Sequence, residues 1–148
     1  MSNTYTQCLL RVVFSTKERR KVIRKERRED LYSDICGIHK ELKCRLYRIG
    51  GIEDHVHILV TLHPTVSLAS YVEKVKSGST NWIKKEKVYP DWEWWQSGYA
   101  AFSKSWEQKE TVVNYIANQE AHHRHVSFMD EYRELMDLGG IPFDEKYL

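Results

Sequence analysis

Residues 50–62 read Gly-Gly-Ile-Glu-Asp-His-Val-His-Ile-Leu-Val-Thr-Leu, and the alternation within this stretch decides how the chain is arranged. Successive side chains of a strand point to opposite faces. Val56, Ile58, Val60 and Leu62 therefore make one apolar face, while His55, His57, Leu59 and Thr61 make the other. Two histidines on one strand face have Cα atoms about 7 Å apart, close enough for both rings to lean onto one ion or one phosphate oxygen. A lone His-x-His is more often a solvated or hydrogen-bonded pair than a ligand set. The stretch needs a second group of residues before it carries chemistry.

Working outward, Pro64 ends the histidine strand, and the β-rich run Cys44 to Ile49 precedes it, with Gly50-Gly51 expected to turn one strand into the other as antiparallel neighbours. Gln7 to Thr16 alternates as well: Cys8, Leu10, Val12 and Phe14 share one face, Leu9, Arg11, Val13 and Ser15 the other. From about Lys25 to Leu42, Leu31, Ile35, Ile38 and Leu42 recur at helical spacing. Ser67 is placed to cap a second helix running to about Lys87. The tryptophan-rich connection from Tyr89 to Gly98 is read as packing anchors in preference to rings that stack on bases. Tyr99 to Ser103 reads as a fourth strand, Glu107 to about His123 as a third helix, and Phe128 to Met136 as a fourth, before Gly139-Gly140 and an acidic tail.

Strand, helix, strand, strand, helix, strand is the split βαβ order of an α+β, ferredoxin-like sandwich with an antiparallel sheet, here with extra C-terminal helices. The 148 residues suit one domain, 1–148. Both early helices are expected on one sheet face. The face bearing His55 and His57 then stays open to solvent unless the third helix lies over it.

Composition narrows the class. A hydrophobic share of 41% with 30% charged residues describes a globular chain. The first residues lack the basic-then-apolar order of a signal peptide, and no apolar run approaches the roughly 20 residues of a membrane span; a cytoplasmic protein is expected. Cys8, Cys36 and Cys44 lack any Cys-x-x-Cys pairing and are expected as reduced, mostly buried thiols. The net charge of +2 says little, but Lys17 to Arg28 holds eight basic residues against two acidic, and Met129 to Leu148 six acidic against two basic. The front end attracts phosphate, although such a run is more often a solvated face.

The second group lies in the third helix. Tyr115 and Gln119 are four apart and share a helix face, and His122 continues that stripe. The tract His122-His123-Arg124-His125 suits a solvated helix end, with backbone contact or accessory ligation as the other option. A phenol is a poor nucleophile at neutral pH, with a reference pKa of about 10. It attacks when something neutralises the phosphate it approaches. A divalent cation held by two imidazoles and an amide oxygen would polarise a phosphodiester for that attack.

His55-Val56-His57, followed some sixty positions later by Tyr115 and Gln119, resembles the single-tyrosine HUH transposases of small bacterial insertion sequences, the insertion-sequence-200-like group. Thr16 to Lys21, Gly51 to Asp54, Gly98-Tyr99 and Phe102-Ser103 extend the likeness over nearly the whole chain. The resemblance implies a metal-dependent transposase that nicks single-stranded DNA through a 5′-phosphotyrosine and rejoins the strands. It implies His55, His57 and Gln119 as ligands of Mg²⁺ or Mn²⁺, and Tyr115 as nucleophile. It also implies substrates with end hairpins, and a homodimer whose active sites are completed between subunits. Histidine ligands favour later transition metals over Mg²⁺, so Mn²⁺ is expected to serve at least as well. Lys17, Arg19, Arg20 and Lys21 are the expected DNA-backbone contacts. Two other readings remain: a ferredoxin-like module that grips single-stranded nucleic acid without chemistry, and a small metallohydrolase that uses His55, His57 and the His122 cluster.

Overall fold

The computed structural model describes residues 3–144, so the end of the acidic tail, 145–148, lies outside the described residues. Four strands, β1 (Leu9–Ser15), β2 (Arg45–Ile52), β3 (His55–Thr61) and β4 (Ala100–Lys104), form one antiparallel sheet in the order β2-β3-β1-β4. With α1 (Arg28–Leu42) and α2 (Leu68–Lys85) filling the two crossovers, this is the ferredoxin-like order predicted from the sequence. Three further helices follow β4: α3 (Lys109–Ala117), α4 (Gln119–His122) and α5 (Phe128–Leu138). Among the described residues no helix is long and apolar enough to cross a membrane.

The alternation in β1 and β3 sorts the residues as expected. Val12, Phe14, Val56, Ile58 and Val60 pack with Leu31 and Ile35 of α1 and with Tyr71, Val72 and Val75 of α2. The Ser67 side chain caps α2 by accepting from the Ser70 backbone N–H, 3.1 Å away. Trp92 and Trp95 join this core, their indole N–H groups donating to Thr80 Oγ1 and Ser79 Oγ at 3.2 and 2.9 Å, so burying them leaves no donor unpaired. Two of the tryptophans of the connection are thus anchors, while Trp94 stays 43% exposed.

The opposite sheet face is covered too. Leu9 and Leu59 pack under Val112 and Ile116 of α3, and Val13, Ala100 and Phe102 under Phe128 and Met136 of α5. The molecule therefore has three layers, with β3 buried on both sides from His55 to Val60.

Three local expectations are corrected. Gly50 and Gly51 do not turn the chain; β2 runs through them to Ile52, and the turn falls at Glu53-Asp54. They are needed for closeness: a Cβ on Gly50 would lie 2.5 Å from the Ile116 carbonyl oxygen, and one on Gly51 would run into the His55 carbonyl. The third helix breaks at Asn118 (φ −100°, ψ 21°), so Tyr115 and Gln119 stand on separate helices. Of the three free thiols only Cys44 is buried; Cys36 is half-buried and Cys8 exposed.

Candidate active site

The centre of the site is a carboxylate that carries no motif. Glu131, 1% exposed on α5, lies among four imidazoles: its Oε1 is 2.8 Å from His57 Nε2, 3.4 Å from His55 Nε2 and 3.3 Å from His123 Nε2, and its Oε2 is 3.2 Å from His122 Nε2. Gln119 donates its amide N–H to Glu131 Oε2 at 3.2 Å, and its Oε1 lies 2.9 Å from His55 Nε2 and 3.0 Å from His123 Nε2. Ser127 caps α5 by accepting from Asp130 N, and Phe128 stacks on the His55 ring at 4.1 Å between centroids. Those contacts set the helix that presents Glu131.

Both histidine rings are fully buried. His55 is oriented by its neighbour, since its Nδ1 lies 2.8 Å from Asp54 Oδ1, which leaves Nε2 aimed at the cluster. Burial pulls the His55 pKa down, but the hydrogen bonds and charges of Asp54 and Glu131 outweigh it and the pKa rises. His57 behaves oppositely: burial, helped by the charges of His55 and Arg11, outweighs its bond to Glu131 and lowers it to about 3. Burial alone would raise Glu131; the bonds from His123, His55 and His57 outweigh that and hold it well below the usual carboxylate range. The cluster thus sets an ionised Glu131 beside a His55 whose proton is held more tightly than usual and a neutral His57.

Tyr115 stands at the rim. Its hydroxyl donates to Glu131 Oε2 and lies 3.1 Å from His122 Nε2, and its ring centroid is 6.0 Å from that of His57 in the same chain. Behind it, Arg11 of β1, 5% exposed, sets its guanidinium 4.4 Å from the centre of the Tyr115 ring and places Nη2 3.2 Å from His57 Nδ1. A cleft of about 510 Å³ between β4 and α5 leads to Tyr115, His122 and Glu131, with Arg11 and Lys104 among its walls.

The expected residues His55, His57, Tyr115 and Gln119 are therefore brought together. The expected DNA contacts are not part of this cluster. Lys17 pairs with Glu93 at 3.0 Å, and Arg20 pairs with both Glu93 and Glu18. Arg19 sits with Lys17 in a 3-10 turn, and Lys21 lines a separate basic cleft with Arg24, Lys25 and Arg124 that reaches His123. Glu131 and Arg11 were not assigned to the site from the sequence, and His123 entered only through the accessory-ligand option for its tract. Two signals were present: an arginine between Leu9 and Val13 on one strand face, and a glutamate three residues after Phe128 on the buried side of α5.

His55, His57, His123 and Glu131 present ligand atoms within 4.8 Å of one another. Three imidazoles and a carboxylate fit a divalent first-row ion, and they suit Mn²⁺ or Zn²⁺ better than Mg²⁺, which prefers oxygen donors.

The family model described as "Transposase IS200 like" matches residues 4–119. The chain belongs to this family. The matched segment contains His55, His57, Tyr115 and Gln119 but stops before His123 and Glu131. Two solved structures are similar in fold. One, from Deinococcus radiodurans R1 and titled as a candidate transposase, shares 21% identity at a TM-score of 0.63, covering 80% of this chain and 96% of its own. The other, a REP-associated tyrosine transposase bound to a REP hairpin, shares 15% identity at a TM-score of 0.62, covering 85% of this chain and 76% of its own. No curated protein is significantly similar to the chain.

Proposed function

We propose that this transposase nicks and rejoins single-stranded DNA through a covalent 5′-phosphotyrosine at Tyr115, in a metal-dependent reaction on strands that carry end hairpins. The observation that supports it most is the Tyr115 hydroxyl held against the His55, His57, Glu131 cluster at the head of a cleft. His55, His57 and Gln119 would hold Mn²⁺ or Mg²⁺, joined by Glu131 and His123. The ion would draw charge from the phosphodiester and from the leaving 3′ oxygen.

The chain's own residues supply the rest. Burial, together with the Glu131 bond, pushes the Tyr115 phenol above its usual range, so it needs a proton acceptor as it attacks. His122 Nε2 is placed to take that proton, because Glu131 is too strongly ionised to be a good base. As the Tyr115 oxygen bonds to phosphorus, the bond from phosphorus to the 3′ oxygen breaks, and that oxygen leaves as a free hydroxyl after protonation by solvent. Arg11 supplies a positive charge beside the attacking oxygen that is fixed before the reaction begins. Rejoining is the reverse attack by a 3′ hydroxyl and needs no ATP. Lys17, Arg19, Arg20 and Lys21 would track the DNA backbone, with Lys17 and Arg20 exchanging Glu93 for phosphate.

Joining two ends calls for two tyrosines, which supports a homodimer. Each chain as folded places Tyr115 beside its own His57. An exchange of α3 between copies through residues 105–108 would give active sites completed between subunits. Mixing Tyr115→Phe chains with His57→Ala chains distinguishes the two: recovered activity requires exchange.

One observation favours a second reading. Both motif histidines are sealed from solvent beneath Glu131, as in a module that binds single strands without chemistry. The experiment is incubation with hairpin-bearing single-stranded DNA and Mn²⁺, followed by intact-protein mass measurement. A DNA adduct that is lost in Tyr115→Phe is expected. Binding indifferent to metal and to Tyr115, with no adduct, would replace the transferase reading with the binding one.

A further inference from the structure

Apart from the histidine cluster, the outer edge of β2 opens onto a cavity of about 460 Å³ between α1 and the α3–α4 junction. β2 is an end strand, so backbone N–H and C=O groups on that edge face the cavity instead of another strand. Gly50 and Gly51 line it with backbone alone.

Arg28 and Tyr32 line it, and among the described residues their buried Nε and Oη atoms have no hydrogen-bond partner. Arg28 is only 8% exposed, and its other nitrogens are committed: Nη1 to Glu120 at 3.2 Å and Nη2 to the Ile23 carbonyl at 2.9 Å. A buried donor without an acceptor is costly to fold around. Two such atoms on one cavity indicate a ligand that supplies hydrogen-bonding partners. Arg48 adds an exposed guanidinium, while Glu29 and Glu120 offset the two arginine charges. Near-neutral walls suit a polar uncharged group better than a phosphate.

Along β2 the cavity continues into an aromatic and cationic surface. Tyr47 lines the cavity, with the Arg45 guanidinium 5.2 Å from its ring centre and the Trp106 ring 5.8 Å away. Trp106 is 49% exposed and carries Lys109 Nζ 4.4 Å above its ring centre. Exposed rings flanked by cations are what successive bases of a single strand stack upon.

We propose that this cavity takes one unstacked nucleobase of the single-stranded substrate, with Arg28 Nε–H and the Tyr32 hydroxyl hydrogen-bonding its edge, while neighbouring nucleotides run over Tyr47 and Trp106. This rests on the single-stranded DNA reading above. Guanine fits first, because its O6 and N7 offer two adjacent acceptors to arginine and hydroxyl donors.

The test is metal-free, so it does not depend on chemistry at Tyr115. Fluorescence anisotropy is measured with a short oligothymidylate and with the same strand carrying one central dG. The dG is expected to tighten binding about tenfold. Tyr32→Phe should erase that gain while the melting temperature holds or rises, because the substitution removes only a buried hydroxyl without a partner. Cys36 lines the same cavity, so the dG strand should also slow its alkylation, followed by peptide mass mapping. Equal binding of the two strands, an unchanged dG preference in Tyr32→Phe, or Cys36 labelling indifferent to DNA would each overturn the proposal. Loss of the Tyr115 adduct with this preference intact would sink only the transferase reading.

Discussion

The Tyr115 hydroxyl donates its hydrogen bond to Oε2 of Glu131, the same carboxylate whose Oε1 lies 2.8 Å from His57 Nε2. Tyr115 and a motif histidine are thus joined through one side chain of α5. Whatever loads the histidines must come to terms with Glu131.

If Glu131 is a ligand, Glu131→Gln weakens Mn²⁺ binding by about 10- to 100-fold, read by isothermal titration with the adduct assay set aside. His123→Ala, which removes another ligand atom of the cluster, is expected to act in the same direction. Tighter Mn²⁺ binding in Glu131→Gln would mean that the carboxylate plugs the site, and the ligand assignment would fail.

Arg11 sits 4.4 Å from the centre of the Tyr115 ring and is buried. Arg11→Met should slow adduct formation by about 10²-fold in single-turnover experiments. Arg11→Lys should recover part of that, since a charge is restored without the planar fork. Equal rates in all three proteins would show that the arginine serves packing alone.

The pH dependence of stability follows from the histidines. His57, lowered to about 3 chiefly by burial, stays neutral in the fold yet protonates in the unfolded chain near pH 6.5, and His39, also lowered by burial, acts in the same direction. Below that pH the unfolded state binds more protons, so stability falls as pH drops. His55, whose pKa is raised, opposes this trend around neutrality. The melting temperature of metal-free protein should decline from pH 7 to pH 4, led by the large shift of His57. A flat or rising profile would contradict the buried, neutral state of His57.

Gly50→Ala places a methyl 2.5 Å from the Ile116 carbonyl oxygen and 2.9 Å from its Cγ2. Overpacking of this kind costs about 1–3 kcal/mol, measurable by urea unfolding. Gly37, around which an added Cβ meets nothing within 4 Å, is the control: Gly37→Ala should leave stability unchanged or raise it.

How much of this was legible in the sequence depended on periodicity. Strand alternation separated Val56, Ile58 and Val60 from His55 and His57, and helical spacing carried Tyr115 to His122, whose nitrogen lies 3.1 Å from the hydroxyl. Gly50-Gly51 misled because glycine marks close approach as well as turns, and only the Ile116 contact tells which. The break at Asn118 left Gln119 on target even so, since the His55 and His123 contacts fix it. Glu131 escaped because a glutamate in an acidic helix has no motif. Its importance comes from the imidazoles that surround it, two of which, His55 and His57, come from a strand distant in sequence.

Glu131 reaches the cluster from α5, beyond the end of the family match at residue 119. A protein shortened to that limit would keep every motif residue and still be a different object. It would bare Val13, Ala100 and Phe102 to water, inviting clumping, and strip His55 and His57 of the carboxylate and the third imidazole that now face them. Anyone trimming this enzyme for expression or grafting should count the closing helix as part of the tool.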